Sequence, residues 1–169
     1  MDVSTGISAV IITHNESANI ARCIKSVNDL VDEVLVVDSY STDNTCEIAK
    51  NLGARVIEHP FEGHIQQKNW AKDQATFHWV LSLDADECLS DELRIHLQNA
   101  IKNGLFYGQT KGFAFSRLNH LGDLPIRGCG WYPDTKLRLW DRRCGNWSGR
   151  NPHDKFVIQP KYPIDKMKG

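Results

Sequence analysis

Apolar positions along the first hundred residues alternate between two rhythms. Ile7 to Thr13 (ISAVIIT) is β-branched and almost wholly apolar, as in a strand covered on both faces of a parallel sheet. It stops at His14-Asn15-Glu16, after which Ile20, Cys23, Ile24 and Val27 recur at i, i+3, i+4 and i+7. That spacing predicts a helix, with Ser17 placed to cap it. The strand pattern returns in Glu33 to Asp38 (EVLVVD), and the helical one in Thr45, Ile48, Ala49 and Leu52, with Gly53 closing that helix. A third strand, ARVIEH, leads to a helix around Ile65 to Ala75, and His78 to Asp86 (HWVLSLDAD) reads as a fourth strand running into two carboxylates. Ser90 then caps a helix carrying Leu93, Leu97, Ala100 and Ile101.

Strands alternating with helices predict an α/β fold, Rossmann-like, with a doubly wound and mostly parallel sheet joined by right-handed crossovers. Past Gly104 the texture changes. GFAFSRL and TKLRLWD alternate as strands do, and the stretch between them, Asn119 to Asp134, is rich in Gly, Pro and aromatic residues. The expectation is a single domain over 1–169, with a regular half (1–104) and an irregular, mixed-sheet C-terminal half (105–169).

Charge and cysteines narrow the partners. Twenty Lys and Arg against twenty-one Asp and Glu give a net charge of −1, which provides no bulk field for nucleic acid. An anionic ligand has to be held by local groups. Five cysteines with no CxxC pair favour neither a disulfide framework nor a zinc site, and point to a reducing cytoplasm. MDVSTG is not a signal sequence and no run of apolar residues is long enough to span a bilayer, although the pattern permits peripheral contact with a membrane surface.

In open α/β sheets ligands bind beyond the carboxyl ends of the strands. Strand one ends at Asn15 and Glu16, strand two at Asp38 and Ser39, and strand four at Asp84 and Asp86, so three strands direct acids at one edge. Such a cluster suits a hard divalent cation, Mn²⁺ or Mg²⁺, that shares its shell with substrate phosphates. Asp84 and Asp86 stand on alternate residues, which on a strand would aim both the same way and Ala85 off. The alternative is that these acids cap a helix or solvate a loop. Asp38 also has the position of an acid that grips ribose in dinucleotide-binding folds, but strand one is followed by THNESAN rather than GxGxxG, and no P-loop is present. Any nucleotide is therefore held by side chains and a metal. Cys88 has no base partner and reads as a small buried residue. Trp70, Trp79 and Trp140 read as core, whereas Trp131 and Tyr132 lie in a loop where they could stack on a sugar face.

THNES after strand one, VVDSYSTDNT after strand two, GHIQQKNWA on the third helix and LDADE after strand four, in that order, resemble the family 2 glycosyltransferases, which have the GT-A fold. YPDTKLRLWDRR and GRNPHDKF bring the chain nearest, within that family, to the lipopolysaccharide core glucosyltransferases. The resemblance implies a nucleotide-sugar site in 1–104 and an acceptor side in 105–169. By it, the loop Thr13, Asn15 and Glu16 lines the nucleotide pocket and Asp38 bonds the base, uracil, while Asp43 shapes its turn. Lys68 and Asn69 match a basic-Asn pair near the nucleotide. Asp86 matches the acid that holds the metal bridging the diphosphate, with Asp84 on ribose or metal-bound water and Ala85 between them. Arg138, and less so Arg127 and Lys136, would serve the diphosphate or an anionic acceptor; their other reading is the solvated face of a strand.

Inverting transfer needs a base for the acceptor hydroxyl. Relatives often carry His-Glu where this chain has His153-Asp154, which makes Asp154 the candidate base; the alternative is an Asp capping a turn before the strand KFVIQ. The implied activity is inverting transfer of a hexose, glucose from UDP-glucose, to a lipopolysaccharide-core or lipid-linked saccharide. Members of that subgroup continue past the residues matching KYPIDKMKG, so the competing expectation is a domain that binds a nucleotide-sugar without turnover. A nucleotidyltransferase ranks last, because THNES is not a Gly-rich basic loop.

Overall fold

The computed structural model describes residues 4–122, 124–128, 130–151 and 153–168. The first four strand–helix units are β1 (Ile7–Thr13), α1 (Ile20–Val27), β2 (Glu33–Asp38), α2 (Thr45–Asn51), β3 (Arg55–Glu58), α3 (His64–Asp73), β4 (Trp79–Asp84) and α4 (Asp91–Lys102). Seven strands follow: β5 (Gly112–Arg117), β6 (His120–Leu121), β7 (Leu124–Pro125), β8 (Asp134–Asp141), β9 (Gly145–Arg150), β10 (His153–Ile158) and β11 (Ile164–Lys166).

Seven of these strands form one sheet in the order β11-β5-β8-β4-β1-β2-β3. β4, β1, β2 and β3 run parallel, and β8 inserts antiparallel to both β4 and β5. The expected doubly wound α/β sheet with a mixed C-terminal part is the observed one. Alternation along β1 divides the core. Ile7, Ala9 and Ile11 face α1, α2 and α4, while Val10 faces α3 and the β9–β10 hairpin. On that second face Trp140 of β8 is fully buried and stacks on Phe156 of β10, ring centroids 4.0 Å apart, with Trp147 of β9 edge-on at 5.4 Å. This aromatic cluster seats the hairpin, and with it residue 154, against the sheet.

Local signals fared unevenly. Ser90 Oγ accepts from the Leu93 amide at 3.1 Å, and Gly53 takes the left-handed φ of 84° that closes α2. Ser17 does not cap α1: the N-cap is Asn19, and the Ser17 amide instead donates to Asp43 at 3.1 Å. Strand four ends at Asp84, not Asp86. Ala85 and Asp86 lie in a turn where the Glu87 amide donates to the Asp84 carbonyl at 2.9 Å, so pleat alternation does not set how the two acids point. Cys88 is exposed rather than buried, because Leu89 takes the inward position before α4. Cys129 lies outside the described residues. Trp79 and Trp140 are core as expected, and Trp70 is half-buried against His59, centroids 3.9 Å apart. Among the described residues no helix is long and apolar enough to cross a membrane.

Candidate functional site

A cavity of about 630 Å³ opens at the carboxyl ends of β1, β2 and β4, the size range of ligand pockets in general. Thr13, His14 and Glu16 come to it from the end of β1, Ser39 from the end of β2, and Asp84, Ala85 and Asp86 from the end of β4. Gln67 and Lys68 enter from α3, and Asp154 from β10.

The charged groups form one connected network. Lys68 Nζ lies 2.9 Å from Asp154 Oδ2 and 3.1 Å from Asp84 Oδ1, and 4.6 Å from the centre of the Trp147 ring. Arg138 Nη2 lies 3.4 Å from Asp84 Oδ2 and 2.5 Å from Glu87 Oε1. Burial alone would raise the Asp84 carboxyl, but Arg138 and Lys68 outweigh it and hold the group below the usual carboxylate range. For Arg138 burial opposes the charge, and Glu87 and Asp84 more than restore it. Both oxygens of Asp84 are thereby engaged by cations.

Asp86 differs. It is exposed, and its carboxylate makes no hydrogen bond or ion pair among the described residues. No three His, Cys, Asp or Glu side chains converge as a metal cage among those residues. One free carboxylate beside a neutralised one suits an ion that draws most of its shell from phosphate oxygens and water, as Mg²⁺ and Mn²⁺ can. The donor set present fits such an ion. Thr13 Oγ1 is buried at the pocket with no hydrogen-bond partner among the described residues, and so offers an unused hydroxyl to whatever binds there. His14 Nδ1 donates to the Ser39 carbonyl at 2.9 Å, which occupies that nitrogen.

Besides Arg138, which meets the cavity only through Asp84, three expected residues do not line it. Asn15, at a positive φ of 54°, turns its carboxamide oxygen to the Thr42 amide at 2.8 Å. Asp38 is fully buried and accepts from the Ser41 amide at 2.7 Å. Asn69 faces away from the cavity and bonds the backbone of β9, accepting from Trp147 N at 2.9 Å and donating to Trp147 O at 3.0 Å. Asp43 accepts from Thr45 and Ser17 and shapes its turn. Asp154 stands inside β10 rather than in a turn before it. Of Arg127, Lys136 and Arg138, Lys136 pairs with Asp134 at 3.0 Å and Arg127 lies 5.7 Å from the Tyr132 ring, whereas Arg138 joins Lys68 on Asp84.

Sequence reasoning missed Gln67 and Glu87. Gln67 is buried on α3, donates to Ser39 Oγ at 3.1 Å and accepts from His59 Nδ1 at 2.8 Å. Its place directly before Lys68 in QQKN was the only signal the sequence offered; its burial shows only in the fold. Glu87 completes LDADE, and its partner Arg138 is fifty-one positions away.

Residues 8–156 match the family model for glycosyl transferase family 2. Over 92 residues the chain is 53% identical to a glycosyltransferase of Rickettsia felis, covering 54% of this chain and 32% of that protein. It is 36% identical over 93 residues to the lipopolysaccharide core biosynthesis glycosyltransferase LpsC of Rhizobium meliloti, covering 52% and 34%. A crystal structure of glucosyl-3-phosphoglycerate synthase from Mycobacterium tuberculosis with Mn²⁺, UDP and glucosyl-3-phosphoglycerate aligns at 25% identity and a TM-score of 0.52, over 65% of this chain and 43% of that one. These matches span about a third of the two relatives and less than half of the solved protein. The fold is GT-A.

Proposed function

Because the chain belongs to glycosyltransferase family 2, we propose that it transfers a hexose, glucose from UDP-glucose, to a saccharide acceptor of the lipopolysaccharide core or a related lipid-linked saccharide, inverting the anomeric centre. The observation that carries this reading is the convergence of free Asp86, neutralised Asp84 and buried Asp154 on one cavity at the strand ends. The choice of uridine diphosphate draws on the Mycobacterium tuberculosis protein, and that of the acceptor on LpsC.

Asp86, with Asp84 beside it, would hold Mn²⁺ or Mg²⁺, which when bound supplies positive charge against the departing diphosphate. Thr13, Glu16 and Ala85 line the donor pocket, and Asn15, Asp38 and Asn69 support its walls. Arg138 keeps Asp84 in place through their ion pair. Asp154 accepts the proton of the acceptor hydroxyl. Lys68 compensates the charge of Asp154 before the acceptor arrives and faces the diphosphate from the same atom. The domain over 1–169 would work in the cytoplasm, at the inner membrane face where the acceptor is lipid-linked.

Calorimetric titration of UDP and UDP-glucose, with Mn²⁺ or with a chelator, tests the donor half of this reading. Metal-dependent binding that disappears in Asp86→Ala is the expected result; binding indifferent to both metal and Asp86 would overturn it. Transfer to a core saccharide with retention, rather than inversion, would overturn the assignment of Asp154.

A further inference from the structure

A second cavity, of about 320 Å³, lies between Arg117 at the end of β5, Asn119, Trp131 and Asp134 at the start of β8. Trp131 lines it and is 56% exposed, so part of the indole is accessible to a ligand there. Its backbone is held in place: its amide donates to the Gly128 carbonyl at 3.1 Å, and Asn119 Nδ2 reaches its carbonyl at 3.5 Å. The floor is an ion pair, with Arg117 Nη2 and Nε donating to Asp134 Oδ2 at 2.7 and 3.0 Å. From that floor the charges run on without a gap. Arg117 Nη1 reaches Glu87 at 3.5 Å, Glu87 binds Arg138, and Arg138 reaches Asp84 in the first cavity.

The chemistry of these walls selects a ligand. An apolar plane bordered by an amide and a carboxylate matches a pyranose, which has C–H groups on one face and hydroxyls around its edge. A phosphate is disfavoured, since Arg117 and Lys136 are already compensated by Asp134 and Glu87. The volume stands at the lower end for ligand pockets, consistent with a single ring.

We propose that this cavity is a neutral-saccharide subsite that takes one pyranose ring of the acceptor, stacked on Trp131 with its hydroxyls on Asn119 and Asp134. The assignment of that ring to the acceptor rests on the glycosyl-transfer reading above; the binding of a pyranose to Trp131 does not.

Saturation-transfer NMR with the methyl glycosides of glucose, galactose and mannose separates the two. At least one glycoside should receive saturation on its C–H face, with the effect falling about tenfold in Trp131→Ala, weakening in Asn119→Ala and largely surviving in Trp131→Phe. Saturating UDP with Mn²⁺ should leave it unchanged. No transfer to any of the three, equal transfer in Trp131→Ala, or displacement by UDP would each overturn the subsite. UDP titrations on the same samples report folding and the donor site: in the parent protein, glycoside binding absent with UDP binding intact sinks the subsite alone, and UDP binding absent with glycoside binding intact sinks the donor reading alone.

Discussion

Lys68 and Asp154, eighty-six positions apart, meet with Nζ 2.9 Å from Oδ2, and each side chain is only 7% exposed. Removing one partner of a buried pair leaves the other charge stranded, at a cost of about 3–5 kcal/mol. Lys68→Met should therefore lower stability by that order in urea titrations and weaken UDP binding as well. Adding Asp154→Asn should recover a large part of the stability and none of the UDP affinity. Full recovery of both would mean that the ammonium serves only to neutralise the acid.

Asp84 and Asp86 stand two residues apart and should respond unequally to removal of charge. Asp84 sits between Lys68 and Arg138, so Asp84→Asn should destabilise the fold by about 1–3 kcal/mol. Asp86 is exposed and unpaired among the described residues, and Asp86→Asn should change stability by less than about 0.5 kcal/mol. The metal dependence of UDP binding should vanish in Asp86→Asn. Parallel denaturation and calorimetry on the two variants read this directly, and equal destabilisation would refute the division of labour.

Much of this was readable in the chain because it is local. ISAVIIT, EVLVVD and HWVLSLD are apolar on both faces, so they had to be central strands, and their polar ends had to meet at one edge. What escaped depends on contacts across long stretches of chain. Ser17 has the composition of a cap, yet its amide is taken by Asp43 from another loop. Asn69 reads as a neighbour of the nucleotide until β9, seventy-eight positions later, arrives to bond both ends of its carboxamide. Asp154 joins the site because Phe156, two residues on, stacks on Trp140. Neither Asp nor Phe declares that from spacing.

Glu33 should hold its charge further into acid than an ordinary glutamate. Burial pushes its carboxyl up, but hydrogen bonds from Ser8, Thr76 and Arg55 outweigh this and lower it from the ordinary 4.5. A lowered folded value means that the group stabilises the fold fully above about pH 4.5 and loses that contribution as the pH falls through the lower value. The bonds tie the start of β2 to Ser8 of β1, Arg55 of β3 and the residues just before β4. The denaturation midpoint of Glu33→Gln should therefore lie below that of the parent at neutral pH, with the gap closing as the pH falls below the ordinary 4.5 and through the lowered folded value. A gap independent of pH would assign the effect to the hydrogen bonds of a neutral side chain.

Asn69 separates positioning from binding. Its carboxamide pairs with Trp147 as a neighbouring strand would, and Asn151 fastens the same hairpin to the start of α3 by accepting from Ile65 N at 2.9 Å. Between these two clamps the hairpin carries Asp154 to Lys68. Asn69→Ala removes both bonds and should cost about 1–3 kcal/mol, since it leaves buried backbone groups without partners. Asn69→Asp keeps the acceptor for Trp147 N but sets a carboxylate oxygen against the Trp147 carbonyl, and should cost at least as much. Because Asn69 does not line the cavity, UDP affinity in both variants should stay near that of the parent, while turnover falls with the hairpin's loss of register. A UDP affinity that collapses in Asn69→Ala, with folding intact by calorimetry, would return Asn69 to the nucleotide and leave Asn151 as the hairpin's principal polar anchor.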